Sequence, residues 1–477
     1  MAWLLILGPL LVGAAAAAVP SNRWRPWLVP LGGLAHLVLV VVALAGGPVA
    51  AFQGWLVLDP IGKLFLGFIS LLFFLCSLYL PGYLAQSPDH SNRVFCACLL
   101  AMLAMMTLVT LAHHLGLMWV AVEATTLASA PPINFHQNPR SLEATWKYLV
   151  VCSVGIALAL LGSFFLAYSS LHVGLHTSLL FEDLVRQAPL LSKPWLHAAF
   201  VLLLVGYGTK MGLAPMHTWL PDAHSEAPTP VSALLSGALL NCAFLAILRF
   251  FQICGAAGEA AFAREILMFV GLLSMAVGGV FMVRQKDYKR MLAYSSVEHM
   301  GILALGIGVG GLATFGALLH LINNGLTKGV LFLSAGNIHH AYHSKSTDDV
   351  SGVIRRLPVT GAAFLAGFLA ITGSPPFGPF ISEFTILNGM VTAGKFVVAG
   401  LFLLLLAIVF IGMGSTVLRV VQGTPSPTAS TTSHHDSLQS VGPILILLAL
   451  VLLLGLYIPP PLESLLRDAA AFLEGGQ

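Results

Sequence analysis

The most conspicuous shortage in this chain is of charge. Only 9% of its 477 residues are Asp, Glu, Lys or Arg, whereas about 25% is usual for soluble globular domains. Hydrophobic residues make up 57% of the chain. This composition excludes a soluble globular protein and predicts a polytopic membrane protein. The formal net charge of +3 is too small and too scattered to indicate a nucleic-acid partner.

Cysteine is also scarce. Its six residues lie almost entirely in apolar runs. Cys96 and Cys98 are close together, but their spacing does not fit a zinc or iron–sulfur site, and no second cluster supports one. We therefore expect no redox centre in this chain, and we interpret the cysteines as small core residues.

A soluble domain is lacking as well, because the longest connections between apolar runs are short. They cover residues 169–196, 337–358 and 419–440. The third connection is rich in Ser, Thr and Pro, a composition typical of a flexible linker. Its His-His-Asp sequence at 434–436 could bind a metal, but two adjacent histidines in a polar loop are weak support, so no metal site is predicted.

Long hydrophobic runs dominate the rest of the chain. About 20 mostly apolar residues are needed to span a bilayer, and by that criterion the sequence predicts about fourteen transmembrane helices. Helices are required because each run must satisfy its own backbone in lipid. The first run has no basic residue before it, so it is predicted to be a retained membrane helix and not a signal peptide. The predicted spans are 1–19, 27–45, 61–80, 94–112, 115–133, 146–168, 197–217, 229–253, 263–283, 291–309, 311–336, 359–389, 394–418 and 441–458.

The basic residues of the connections predict the orientation. Thirteen Lys and Arg residues lie in the odd-numbered connections and five in the even-numbered ones. Positive charge collects on the cytoplasmic side of membrane proteins. We therefore expect a multi-pass protein of the bacterial or archaeal inner membrane, with the odd-numbered loops in the cytoplasm and both termini on the periplasmic side.

A few ionisable residues remain at membrane depth, where charges are rare and usually functional. Their alternation of acids, bases and histidines is what a lateral proton relay through a helix bundle needs. The predicted relay residues are Glu123, Lys210, His217, His299, His320, Lys328 and Glu383. Each could instead be a counter-ion, a helix cap or a packing histidine. Nearby polar residues are predicted to face loops or helix ends in structural roles: Asp222, His224, Glu226 and Glu298.

Helix-breaking residues accompany three of these groups. Pro215 follows the seventh run's lysine, Gly325 lies in the eleventh run, and Pro375 and Pro376 precede the acid of the twelfth. Paired interruptions in two halves of a transporter mark its ion path. The seventh and twelfth runs are five apart, so we predict an all-α fold with two inverted five-helix repeats and broken helices 7 and 12.

The repeats divide the chain into five units. The predicted units are an N-terminal three-helix segment at 1–93, a first five-helix repeat at 94–253, an inverted second repeat at 263–418, the polar linker at 419–440 and a C-terminal helix with its tail at 441–477.

Four ordered stretches resemble the antiporter-like subunits of the complex I superfamily. This superfamily includes proton-pumping chains of NADH–quinone oxidoreductase, Mrp-type cation/proton antiporters and membrane subunits of group 4 hydrogenases. A fifth stretch, at 128–162, is most similar to hydrogenase-4 component F and its relatives. The four stretches are KMGLAPMHTWLPDAHSEAPTPVSALL (210–235), QKDYKRMLAYSSVEHMG (285–301), HLINNGLTKGVLFLSAG (320–336) and GSPPFGPFISEF (373–384).

The resemblance implies roles for particular residues. Glu123 and Lys210 match the family's input pair, in which the glutamate modulates the lysine. His320 and Lys328 match the central connecting residues, and Glu383 matches the terminal residue of the broken twelfth helix. Many members carry a lysine or histidine in the eighth helix, where this chain has Asn241. Asparagine cannot titrate, so the relay has a gap there and would rely on His320, Lys328 and water.

The resemblance also implies the setting in which the chain works. It implies a non-redox subunit in contact with lipid, which moves protons or sodium and holds no cofactor. Its partners would be other antiporter-like and channel subunits and a soluble hydrogenase or dehydrogenase arm. That arm would carry iron–sulfur clusters and, in a hydrogenase, nickel–iron.

Three alternatives remain open from the sequence. The first is an Mrp-like sodium/proton antiporter subunit, which would use the same charged residues. The second is the membrane subunit of a carbon-dioxide-uptake complex, whose partner would be a zinc-binding soluble protein. The third is a structural scaffold, which the buried charges disfavour because a charge at the bilayer centre costs about 2.5 kcal/mol or more.

Overall fold

The fold is helical almost throughout. The computed structural model describes residues 1–86, 90–176, 178–424 and 435–475. Within these ranges, nine helices are long and apolar enough to cross a membrane, and α1 and α17 are apolar but shorter. The helices are α1 Ala2–Ala18, α2 Arg25–Ala45, α3 Pro60–Leu78, α4 Leu80–Leu84, α5 Arg93–Leu111, α6 Leu115–Ile133, α7 Pro139–Leu171, α8 Phe181–Gln187, α9 Lys193–Met211, α10 Leu220–Glu226, α11 Thr229–Leu234, α12 Leu240–Ala256, α13 Ala260–Met282, α14 Tyr288–Val309, α15 Leu312–Tyr342, α16 Val353–Arg356, α17 Pro358–Ile371, α18 Gly378–Thr392, α19 Phe396–Val421, α20 Leu438–Leu456 and α21 Pro460–Leu473.

Four short elements complete the secondary structure of the described residues. The antiparallel strands β1 (Ala50–Ala51) and β2 (Leu56–Val57) form a hairpin between α2 and α3. A 3₁₀ turn covers Ala188–Leu190, and one π-helical turn at Leu235–Leu239 joins α11 to α12. Such π turns are frequent at functional sites.

The predicted number of fourteen spans and the predicted inverted repeats stay predictions.

Two of the predicted spans are interrupted. Helix α9 ends at Met211, where Gly212 takes the left-handed conformation (φ 85°) that favours glycine, and Pro215 lies in the irregular segment before α10. Helix α17 ends at Ile371, and α18 begins at Gly378. The Pro375–Pro376 pair lies between them and lacks the N–H groups that would continue α17.

The predicted break at Gly325 is wrong, because α15 runs without interruption from Leu312 to Tyr342. A β-carbon at Gly325 would lie 2.8 Å from the carbonyl oxygen of Gly237 and would collide with the ring of Phe68. The glycine therefore serves close packing of α15 against the π turn and α3, which is how small residues act between membrane helices.

The inner helices are distinguished by burial. The spans differ in the buried share of residues in their 18-residue apolar stretch. All residues of this stretch are buried in Thr229–Ala256, and 94% are buried in Tyr288–Val309. By contrast, only 28% are buried in Phe396–Val421, and α19 exposes large apolar residues such as Ile411. An apolar outer surface around a polar-containing centre is the arrangement of a protein surrounded by lipid.

A buried ion pair joins α3 to α12. Asp59 caps α3 by accepting the N–H of Gly62 (2.7 Å), and it also accepts from Nη2 of Arg249 (2.9 Å). Nε2 of His113 lies 3.4 Å from the same carboxylate. Arg249 is fully buried, although it is one of the five basic residues counted in the even-numbered connections. The pair therefore fixes the end of α3 against the inner span.

The predicted linker at 419–440 is shortened by helices at both ends, since α19 reaches Val421 and α20 begins at Leu438. Residues 425–434, with His434 among them, lie outside the described ranges. Asp436 accepts the backbone N–H of Val359 (2.9 Å) and of Thr360 (3.2 Å). These donors belong to the first turn of α17, so Asp436 acts as a cap for that helix.

Candidate functional site: a buried polar axis

Lys210 lies in the last turn of α9, directly before the helix break, and only 1% of it is exposed. Its Nζ donates to Oγ1 of Thr126 (2.8 Å) and to the hydroxyl of Tyr148, and it stands 4.5 Å from the centre of the Tyr148 ring. A cation is favourable at a helix C-terminus and over an aromatic face. These neighbours compensate part of the cost of burying the ammonium group.

Glu123 does not contact Lys210 directly. Its Oε2 accepts from Oγ1 of Thr126 (3.3 Å), and its Oε1 accepts from Oγ of Ser153 (2.7 Å). In the described part of the chain, no carboxylate oxygen lies within 4.0 Å of the Lys210 ammonium. The hydroxyl of Thr126 therefore bridges the two predicted partners, accepting from the lysine and donating to the glutamate.

Thr126 and Tyr148 were not predicted from the sequence as part of the site. Thr126 lies three residues after Glu123 on α6, so the two side chains share a helix face, and this spacing could have identified it. Tyr148 is on α7 and also bonds to Oγ of Ser129 (2.7 Å). Nothing in the sequence signals that contact, because it depends on how α7 packs against α6 and α9.

The irregular segment after α9 supports this cluster. Trp219 is fully buried, and its Nε1 donates to the carbonyl oxygen of Thr209 in the last turn of α9 (2.8 Å). Its ring centre lies 4.9 Å from that of Tyr148. After the break, the chain therefore folds back so that Trp219 contacts the end of α9. There it packs against Tyr148 and holds it beside Lys210.

Lys328 lies on α15 and is fully buried. Its Nζ donates to the carbonyl oxygen of Leu292 (2.9 Å) and to the hydroxyl of Ser295, both on α14. Because Lys328 is fully buried, its ammonium group does not reach the membrane surface by snorkelling. Lys328 is therefore a second internal cation, held by neutral oxygen atoms.

Asn241 follows the π turn, at the start of α12, and is fully buried. Its Nδ2 donates to the carbonyl oxygen of Gly237 (2.8 Å), while its Oδ1 has no hydrogen-bond partner in the described chain. A buried oxygen without a partner is a place where a water molecule would be favourable. No hydrogen bond of the described residues joins the Lys210 cluster to Lys328.

A third group lies where α14, α15 and α18 meet. Nδ1 of His299 and Nε2 of His320 are 3.0 Å apart, and Nδ1 of His320 lies 3.0 Å from Oγ of Ser382. Nε2 of His299 is 3.2 Å from Oε2 of Glu298. One ligand atom from each of His299, His320 and Glu383 fits within 4.8 Å of the others, so these three residues could hold a metal ion.

One polar residue was misplaced by the sequence analysis. Glu298 was expected near a loop or helix end, but it lies in the middle of α14 and is fully buried. Helix α14 begins at Tyr288, with Asp287 as its cap, before the start of the predicted span at 291–309. His224 in α10 is also fully buried, and neither ring nitrogen has a hydrogen-bond partner in the described chain.

His217 is not brought to the other predicted residues. It lies in the irregular segment between α9 and α10, with 9% of its surface exposed. Its ring centre is 6.4 Å from that of Tyr294 and 6.5 Å from that of Phe281. This aromatic setting favours a packing role.

A polar cavity of about 570 Å³ opens at one end of the inner helices. His90, His136 and His339 line it together with Lys289, whose Nζ donates to the carbonyl oxygen of Ala227 (2.7 Å). Burial, with the positive charge of Lys289 nearby, lowers the pKa of the His136 imidazole to about 4. His136 is therefore neutral near pH 7, and the cavity offers water a way toward the inner helices.

The comparisons with known proteins agree with the motifs. A model of the family described as NADH:quinone oxidoreductase/Mrp antiporter, TM, matches residues 112–410, from α6 to within α19. The chain belongs to the NADH:quinone oxidoreductase/Mrp antiporter family. The resemblance stated from the sequence is confirmed, and this antiporter-like membrane subunit carries Glu123, Lys210, Lys328 and Glu383 within the matched region.

Two similar relatives extend the antiporter-like match beyond that region. The hydrogenase-4 component F homolog of Methylacidiphilum infernorum (isolate V4) is 34% identical, with 98% of this chain and 99% of the relative covered. The NADH-quinone oxidoreductase subunit N of Desulforudis audaxviator (strain MP104C) is 31% identical, over 82% of this chain and 74% of the relative.

Solved structures show the same antiporter-like fold. A chain of the membrane-bound sulfane sulfur reductase, an archaeal respiratory membrane complex, has a TM-score of 0.89 at 19% identity, covering 99% of this chain and 97% of its own. A chain of the Mrp complex from Dietzia sp. DQ12-45-1b has a TM-score of 0.87 at 20% identity with the same coverage. A chain of respiratory complex I from Thermus thermophilus has a TM-score of 0.78 at 25% identity, covering 96% and 97%.

Proposed function

We propose that this chain is a non-redox, proton-translocating subunit of a hydrogenase-like or NADH dehydrogenase-like membrane complex. It moves protons, alone or in exchange for a cation, along a polar axis that runs from the half-buried Glu123 through the buried Lys210 and Lys328 to Glu383. Membership of the antiporter family and the three internal polar clusters support this function.

The strongest support for the proposal is the indirect contact between Lys210 and Glu123. Lys210 is buried at a helix break and is joined to Glu123 through the single hydroxyl of Thr126. A charge that approaches or leaves Glu123 acts on Lys210 over a short path of low dielectric, and it thereby changes the free energy of the charged form of the lysine. The pair can therefore hold a proton or release it, depending on changes of charge near Glu123.

The route continues across the inner helices. Asn241 cannot carry a proton itself, but its unpaired Oδ1 offers a site for a water molecule beside the π turn. Beyond Lys328, the fully buried Glu298 lies on α14, the helix whose oxygen atoms hold the lysine, and the paired imidazoles of His299 and His320 continue toward α18. Glu383 then ends the axis beside the second helix break. His217 is left outside this route.

The partners follow from the same proposal. Other antiporter-like and channel subunits would lie beside the chain in the inner membrane, and both termini would face the periplasm. A soluble hydrogenase or dehydrogenase arm would hold the iron–sulfur clusters and, in a hydrogenase, the nickel–iron centre. The solved structures that share this fold come from multi-subunit membrane complexes, which supports this setting.

Thr126→Val tests the bridge. Valine keeps the shape of threonine but removes the hydroxyl that joins Lys210 to Glu123. We expect coupled proton transport to fall by about 5- to 30-fold, the ratio equivalent to about 1 to 2 kcal/mol. Proton transport is measured with a fluorescent pH indicator in vesicles that contain the assembled complex, while its redox activity is followed in parallel.

The neighbouring residue provides a matched control. Thr125 is also buried on α6, but its hydroxyl donates only to the carbonyl oxygen of Val122 (2.7 Å). Thr125→Val should leave transport close to the wild-type rate, and Thr126→Ser should retain it. Equal transport by the two valine variants would show that the bridge plays no part.

A further inference from the structure

The cluster at the junction of α14, α15 and α18 has the composition of a metal site as well as a place in the relay. His299 and His320 are fully buried, Glu383 is 5% exposed, and their ligand atoms lie within 4.8 Å of one another. We propose that these three side chains form a site for one divalent metal ion of the zinc class. Two imidazoles and one carboxylate are a ligand set that zinc takes, with a fourth position left for water.

The spacing of the imidazoles fits this ion. Two nitrogen ligands at about 2.0 to 2.1 Å from a tetrahedral zinc ion are separated by about 3.3 Å. The facing nitrogens, Nδ1 of His299 and Nε2 of His320, are 3.0 Å apart. A shift of a few tenths of an ångström would therefore place both at bonding distance. Nitrogen ligands also favour zinc over calcium or magnesium, which prefer oxygen.

The other nitrogen of His320 has a hydrogen-bond partner, and that of His299 lies close to a carboxylate. Nδ1 of His320 lies 3.0 Å from Oγ of Ser382, and that hydroxyl donates to the carbonyl oxygen of Pro379 (2.9 Å), so it can accept from the ring. Nε2 of His299 lies 3.2 Å from a carboxylate oxygen of Glu298. Metal-binding histidines almost always donate their second N–H to such a group, which fixes the ring and raises its basicity.

The carboxyl groups of the cluster lack partners that a divalent cation could supply. Both oxygens of Glu298 and Oε1 of Glu383 have no hydrogen-bond partner in the described chain. No Lys or Arg nitrogen of the described residues lies within 4.0 Å of either carboxylate. A divalent ion bound by Glu383 would supply the partner that these buried carboxyl groups lack.

The helix break borders the cluster. Gly373 lies directly against the Glu383 carboxylate, and any side chain there would collide with it. The prolines Pro375 and Pro376 of the same segment are exposed, whereas Glu383 itself is 5% exposed. The irregular backbone between α17 and α18 therefore lies beside the carboxylate that would bind the ion.

Metal binding does not depend on proton transport, so the site would stand even if the chain conducted no protons. Its consequence does rest on the proposed function. A bound ion would occupy the facing nitrogens of both imidazoles and the Glu383 carboxylate, and it would thereby interrupt the relay near its end.

The test measures zinc binding by the full chain in lipid nanodiscs after removal of metals with a chelator. All proteins carry His434→Asn and His435→Asn, which removes a competing histidine pair in the linker. We expect one zinc ion per chain by equilibrium dialysis. Glu383→Gln should weaken binding at least about 100-fold, and Glu298→Gln about 10- to 100-fold, the range typical for outer partners. Glu463→Gln, at a partly exposed surface glutamate, is the control and should bind like its parent.

If a variant fails to fold, X-ray absorption at the zinc edge of the parent protein tests the site by identifying the ligands of the bound ion. Two imidazoles and a carboxylate around the ion would support the site. No stoichiometric zinc, zinc without imidazole ligands, or affinity unchanged in the folded Glu383→Gln protein would overturn it. None of these outcomes depends on transport, so proton conduction can fail its own tests separately.

Discussion

Lys210→Ala should abolish coupled proton transport while leaving the complex assembled. The ammonium group is the only cation held by Thr126 and Tyr148 in the described chain, and alanine leaves Glu123 with no partner across that bridge. Groups that transfer protons typically contribute about 10²- to 10⁴-fold to rate. We therefore expect a fall of about 100-fold or more, measured as proton uptake by vesicles during turnover of the complex.

Lys286→Ala is the matched control for this change. Lys286 is 81% exposed and lies 3.7 Å from the exposed Asp348, so its removal should not alter transport. Immunodetection of the assembled complex, together with its redox activity, separates a transport defect from loss of the subunit. Undiminished transport by an assembled Lys210→Ala complex would contradict the relay.

Arg249→Ala should cause the largest loss of stability. The guanidinium is fully buried against Asp59, and its removal leaves that carboxylate buried with His113 as its remaining ionisable partner. Breaking a buried ion pair by deleting one partner costs about 3 to 5 kcal/mol. The free energy of unfolding is obtained from denaturant titration in mixed micelles, followed by tryptophan fluorescence.

The surface pair of Arg186 and Asp183 supplies the comparison. Arg186 is 76% exposed, and exposed pairs contribute about 0 to 1 kcal/mol. A loss in Arg249→Ala no greater than that in Arg186→Ala would show that the buried pair does not stabilise the fold. The double variant Arg249→Met with Asp59→Leu should recover part of the loss, since apolar replacements of buried pairs are often tolerated.

Local signals in the sequence were sufficient for much of this site. A lysine inside an apolar run marked Lys210, and the glycine and proline after it marked the end of α9. The same reasoning identified the interruption before Glu383. These features are carried by neighbouring residues, so no knowledge of packing was needed to find them.

Features that depend on contact between helices were missed or misread. The Asn-Asn-Gly stretch of α15 suggested a break, but close approach to Phe68 and Gly237 explains Gly325 better. Tyr148 reaches Lys210 only because α7 packs against α9. Glu298 was expected near a loop or helix end, although it lies in the middle of α14.

The central claim is that protons pass through the middle of the bundle, and a substitution of Lys328 tests this claim most directly. Lys328→Met keeps the length of the side chain and removes its charge. The decisive measurement is the number of protons translocated per electron by the complex in proteoliposomes, with Lys286→Met as control. The account predicts that this ratio falls in Lys328→Met while electron transfer continues. An unchanged ratio in the assembled variant complex would contradict it.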